Sequence, residues 1–196
     1  MKKNTGFQNS SKLYLTNLQK LLSEIELKKL EQATKLLTQA YKKNKKIFII
    51  GNGGSASTAS HMATDLAKTV RGHKLNDRVK GFKTISLTDN TAFITALAND
   101  TNYENVYSEQ IKTLGEKGDI LIAISSSGNS PNIIKATSQA QKMGLKVITI
   151  AGFGGGLLGK MGNVNIITHH NEYGPVEDIQ LIINHILTSY FAQKLS

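Results

Sequence analysis

Apolar residues return at helical spacing through the first forty positions. Leu13, Leu15, Leu18, Leu21, Leu22 and Ile25 form one set, and Leu27, Leu30, Ala33, Leu36, Leu37 and Ala40 continue it. The spacing predicts one long helix or two, broken near Ser23 to Glu26. From residue 46 the pattern changes. Short apolar, β-rich runs occupy 46–50, 83–87, 120–124, 146–150 and 164–168, and each reads as a strand. Helical segments are expected from Ser55, over 91–98, 104–115 and 131–143, around 157–161, and over 176–194, with 99–102 as an interruption. Near-continuous apolar strands imply a sheet covered on both faces. The expected fold is therefore α/β: a three-layer αβα sandwich around a five-stranded, parallel, doubly wound sheet, with an N-terminal helical arm. Residues 1–10 read as a loose tail, 11–196 as a single domain that includes the arm, and 70–82 as a surface loop. The arm packs either on a partner subunit or on its own sheet.

Composition narrows the function classes. A chain of 196 residues is long enough to bury a full core. It has no Cys, which excludes disulfides and thiolate metal sites, so any metal falls to His, Asp, Glu or Gln. No apolar run reaches the ~20 residues that span a bilayer. The first residues, MKKNTGFQNSSK, lack the apolar stretch of a secretory signal, so a cytoplasmic protein is expected. The net charge is +10, but residues 1–46 hold eleven Lys and three Glu and carry most of it. Those lysines are spaced along an amphipathic helix, as on a solvated face. Interleaved aromatics are missing, and nucleic acid is not an expected partner.

Two loops carry the chemistry. The first strand runs straight into Gly51, Asn52, Gly53 and Gly54, and Ser55 opens a helix. A glycine turn at a helix N-terminus presents free backbone N–H groups and the positive end of the helix dipole, which favour a phosphate. The third strand leads into Ser125 to Asn132, SSSGNSPN, with four hydroxyls and Pro131 suited to a first helical turn. Both loops follow strand C-termini, where ligands of such sheets bind, so they can meet over one site. The glycines match neither the P-loop nor the dinucleotide fingerprint.

Titratable residues lie beside these loops. His61 and Asp65 are four apart and share a helix face. On the last helix, Glu177 and His185 are eight apart and share roughly one face. Asp178 and Gln180 accompany them. His185 lies among isoleucines, where a core histidine is the common outcome, but the second His/carboxylate pair favours a site. His169 and His170 read as loop residues.

GNGGSA followed by His61, then SSSGNSPN, then VEDIQ followed by His185, resembles the sugar isomerase (SIS) domain family over about residues 12–194. More closely, it is similar to the bacterial phosphoheptose isomerases. The resemblance implies a homotetramer with active sites between subunits, and conversion of sedoheptulose 7-phosphate to D-glycero-D-manno-heptose 7-phosphate, usually with zinc. It implies that Asn52, Gly53, Gly54 and Ser55 line the substrate, and that Ser125, Ser126, Ser127 and Ser130 hold its phosphate. Asn99 and Asp100 match a substrate-contacting pair. His61, Asp65, Glu177 and His185 match the zinc ligands, with Glu177 also on the substrate. Asp65 and His185 match the acid/base residues. Three positions depart from the family: Asp65 stands for a Glu, Glu177 for a Gln, and Gly174 for an Asp. Two other readings stay open on these residues. One is a non-catalytic SIS module that binds a sugar phosphate or a replication-initiation protein. The other is an isomerase of a different ketose phosphate.

Overall fold

The computed structural model describes residues 6–72, 75 and 78–195. Two helices lead, α1 (Phe7–Ser23) and α2 (Leu27–Lys42), so the arm is broken where the sequence indicates. Residues 7–10, expected in a loose tail, form the start of α1, and residues 1–5 of that tail lie outside the described residues. Then follow β1 (Lys46–Ile50), α3 (Gly54–Ala67), β2 (Lys83–Ser86), α4 (Thr91–Asp100), α5 (Ser108–Leu114) and β3 (Ile120–Ser125). The chain closes with α6 (Pro131–Lys142), β4 (Lys146–Ala151), β5 (Val164–Ile167) and α7 (Tyr173–Leu195).

The five strands form one parallel sheet in the order β2-β1-β3-β4-β5. Alternate strand residues point to opposite faces, and both faces are covered. Ile47, Ile49, Ile122, Ile148 and Ile150 pack beneath α2, α3 and α7, whereas Phe48, Ile50, Leu121, Ala123 and Val147 pack beneath α5 and α6. The sandwich expected from the apolar runs is the one observed. The strand order reverses between β1 and β3, so their C-terminal ends flank the crevice where such sheets bind ligands.

Three local expectations need correction. Asn99 and Asp100 do not interrupt a helix; they end α4. The helix expected over 104–115 is instead a 3-10 turn at Tyr103–Asn105 followed by the shorter α5. Its cause is local, because Asn102 caps the turn by accepting from the Glu104 amide at 3.1 Å. The short helix around 157–161 is a 3-10 turn at Leu158–Lys160. Part of the loop expected over 70–82 lies outside the described residues, although Val79 and Phe82 are buried against the body.

The arm packs on its own chain. Tyr14 Oη donates to Asp178 Oδ2 at 2.5 Å, joining α1 to α7. Even so, α1 buries only Leu21 and leaves Phe7, Leu13 and Leu15 more than half exposed, and α4 buries no residue at all. Among the described residues, no helix is long and apolar enough to cross a membrane.

Candidate active site

The two loops meet as expected. Asn52, Gly53, Gly54 and Ser55 face Ser125, Ser126, Ser127 and Ser130 across a cleft of about 240 Å³, which Tyr173 and Glu177 complete. Helix geometry leaves the first amides of α3 and α6 without intrahelical partners, and both helices begin at this cleft. Gly54 lies against Glu177: a Cβ there would meet the Glu177 carboxylate, the far end of a flexible side chain, and displace it.

Side chains tie the loops together. Asn52 and Asn132 exchange amide hydrogen bonds, Asn52 Nδ2 donating to Asn132 Oδ1 and Asn132 Nδ2 to Asn52 Oδ1, both at 2.9 Å. Behind the cleft, Ser55 Oγ donates to Gln180 Oε1 at 2.8 Å, and Gln180 Nε2 donates to Ser126 Oγ at 3.3 Å. Tyr107 Oη donates to the Gly51 carbonyl at 2.5 Å from a buried position, and burial pushes that phenol well above its ordinary range.

Further along α3, His61, Asp65 and His185 converge, with ligand atoms all within 4.8 Å of one another. His61 Nε2 is 3.3 Å from Asp65 Oδ2, His185 Nε2 is 3.9 Å from the same oxygen, and the two imidazole nitrogens are 3.4 Å apart. The edge of a zinc tetrahedron with ~2.0–2.2 Å bonds is about 3.4 Å. The donor set therefore suits a zinc-sized ion in both chemistry and spacing. Asp65 is buried, and both histidines are exposed. Asp65 is fixed from beneath: Asn184 Nδ2 donates to its Oδ2 at 2.8 Å and Thr69 Oγ1 to its Oδ1 at 2.9 Å.

Two expectations about the site are not met within the chain. Glu177 is not one of the converging ligands. Eight residues of helix carry it about 12 Å from His185 along the axis, so it faces Gly54 at the start of α3 while His185 faces His61. It belongs to the cleft. Asn99 and Asp100 do not line the cleft either; they lie exposed at the end of α4, where Asn99 Nδ2 donates to Asp100 Oδ1 at 2.9 Å. Conversely, Asn132, Tyr173 and Asn184 were assigned no role from sequence, and Gln180 none beyond its presence on the last helix. A signal existed for two of them. Gln180, Asn184 and Thr188 recur every four residues on the buried face of α7 that also carries Val176, Ile179, Ile183 and Leu187.

Residues 13–152 match the family model described as the SIS domain. The phosphoheptose isomerase of Helicobacter pylori (strain P12) is 38% identical over 169 residues, covering 84% of this chain and 85% of that protein. The chain belongs to the phosphoheptose isomerases of the SIS family. Solved structures agree. The phosphoheptose isomerase from Francisella tularensis superposes with a TM-score of 0.87 at 25% identity, covering 96% of this chain and 100% of that one. The one from Neisseria gonorrhoeae gives 0.84 at 26% identity, covering 95% and 98%.

Proposed function

We propose that this protein interconverts sedoheptulose 7-phosphate and D-glycero-D-manno-heptose 7-phosphate. The observation that carries the reading is the placement of two unlike sites along one helix. The anion cleft opens α3 at Gly54, and His61 follows seven residues later, about 10 Å along the axis. An extended chain from C2 of a heptulose to its 7-phosphate measures on the order of 9 Å at ordinary bond lengths. A phosphate seated in the cleft thus leaves the carbonyl end beside the imidazoles.

The cleft binds the phosphoryl group through hydroxyls and helix amides, and this remote binding energy aligns the reacting carbons. Asp65 takes the proton from C1 and returns it to C2. His185, the more exposed group, moves the proton between O1 and O2. One proton leaves and one arrives at each stage, so the carbon skeleton passes through an enediol with no external oxidant. His61, Asp65 and His185 would hold zinc, with three protein ligands as in catalytic zinc sites. When bound, the ion supplies a positive charge beside the sugar oxygens. The Asp65 carboxylate is one methylene shorter than the family's Glu, and the hydrogen bonds from Asn184 and Thr69 hold it rigidly in reach of both imidazoles.

The exposed apolar residues of α1 and the unburied α4 suit burial between copies of the chain, in keeping with a homotetramer. Such packing could also carry Asn99 and Asp100 to a neighbouring cleft. The non-catalytic reading is not favoured, because the close relatives are isomerases and the His/Asp/His group is intact. The test is turnover of sedoheptulose 7-phosphate by the purified, zinc-loaded protein. Asp65→Asn and His185→Ala should each lower kcat by about a hundredfold or more. Wild-type turnover in both variants would overturn the assignment.

A further inference from the structure

We propose that Gln180 is a positioning residue that sets the width and hydrogen-bond polarity of the phosphate cleft. The proposal rests on the phosphate reading given above. Gln180 is completely buried on the face of α7 that also presents Val176, Ile179 and Ile183, with Asn184 one turn further on. A buried amide is costly unless it is hydrogen-bonded. Here both of its ends reach out of its own helix, to serines on two different loops. Ser55, on the first turn of α3, is 2% exposed, and Ser126, behind β3, is 5% exposed. Each lines the cleft.

The directions of these bonds have a chemical consequence. Ser55 spends its hydroxyl proton on Gln180 Oε1, so toward an anion it offers its backbone amide. Ser126 Oγ accepts a hydrogen bond from Gln180 Nε2, so its own O–H remains free to donate to a phosphate oxygen. One side chain therefore fixes the separation of the two loops and orients Ser126 as a donor. The exchanged amide pair of Asn52 and Asn132 is a second tie, between the glycine turn and the first turn of α6. With both ties in place the cleft is held open at one width before substrate arrives, which lowers the ordering cost of binding.

The experiment compares Gln180→Met and Gln180→Glu with the wild type in the zinc-loaded protein. It measures KM and kcat for sedoheptulose 7-phosphate, the inhibition constant of inorganic phosphate, and the melting temperature. Gln180→Met removes both bonds at nearly constant volume. It should raise KM and the phosphate inhibition constant together by about tenfold, with kcat within about threefold, because the reacting carbons lie at the other end of the substrate. Gln180→Glu keeps the size but draws the Ser126 proton to itself and adds a negative charge, so both constants should rise further. If Gln180→Met does not fold, Gln180→Glu carries the test. Wild-type KM and phosphate inhibition in either folded variant would overturn the proposal. So would a lowered melting temperature with only kcat changed. Wild-type protein that turns over the sugar but is indifferent to inorganic phosphate would overturn the phosphate reading itself, a result separable from both.

Discussion

Asn184 Nδ2 lies 2.8 Å from Asp65 Oδ2 and holds the carboxylate beneath two exposed imidazoles. Thr188 Oγ1 donates to Asn184 Oδ1 at 3.3 Å, which turns the amide so that its N–H₂ group faces Asp65. The carboxylate is thus aimed by a chain of buried groups on α7 that lies outside the cleft. Outer partners of this kind typically account for 10–100-fold in metal affinity. If His61, Asp65 and His185 hold zinc as proposed, Asn184→Leu should weaken its binding by about that factor, measured by competition with a chromophoric chelator. Unchanged affinity would show that Asp65 keeps its position without the amide.

Two glycines near the cleft should respond to alanine in opposite ways. At Gly54 the obstacle is the carboxylate tip of Glu177, the far end of a flexible side chain. Gly54→Ala should leave the melting temperature within a few degrees while displacing Glu177 and changing KM several-fold. At Gly128 the backbone is left-handed, with φ of 66°, and a Cβ would lie 2.0 Å from the Gly155 carbonyl oxygen. Neither backbone can yield cheaply, so Gly128→Ala should lose about 1–3 kcal/mol or more in urea denaturation. Equal stability losses in the two variants would contradict this contrast.

The fold was readable because a parallel sheet covered on both faces leaves its mark in five apolar runs. In β1, Phe48 and Ile50 serve one face and Ile47 and Ile49 the other, so consecutive residues are apolar; the edge strands β2 and β5 carry polar residues such as Thr84 and Asn165. Helix boundaries were less readable where side chains compete with the backbone, as Asn102 does ahead of α5. The meeting of the glycine and serine loops was legible from their places behind strand C-termini, and the pairing of His61 with Asp65 from their four-residue spacing. What local pattern does not encode is which distant group a buried polar side chain will meet. Gln180 meets Ser55 and Ser126, and Asn184 meets Asp65, only because α3 and α7 pack side by side. The same helix spacing that placed His185 beside His61 took Glu177 two turns away.

Tyr107 offers a prediction on the cleft floor. Its hydroxyl bonds to the Gly51 carbonyl from a site only 3% exposed, so Tyr107→Phe leaves that carbonyl without this partner. A loss of about 1–2 kcal/mol is expected from denaturant unfolding, with an unchanged m-value. On the proposed function KM should rise as well, since Gly51 begins the turn that brings Asn52 and Gly53 to the cleft.

The contact between the arm and the last helix should be visible as a pH dependence. Tyr14 is raised to about 12 from the ordinary 10.0, first by its hydrogen bond to Asp178, then by desolvation and the charges of Asp178, Glu172 and Glu177. Its folded value lies above its unfolded one, so between these values the folded state binds more protons and stability falls as pH rises. The contribution is fully present below about pH 10 and is lost on the way to about pH 12. Tyr14→Phe should therefore lower the melting temperature near neutral pH and shrink its fall between pH 10 and 12. Hydrogen exchange in α1 should rise in the variant, because few buried contacts other than Leu21 anchor that helix. Parallel melting curves for wild type and variant across that window would show that the phenol does not fasten α1 to α7.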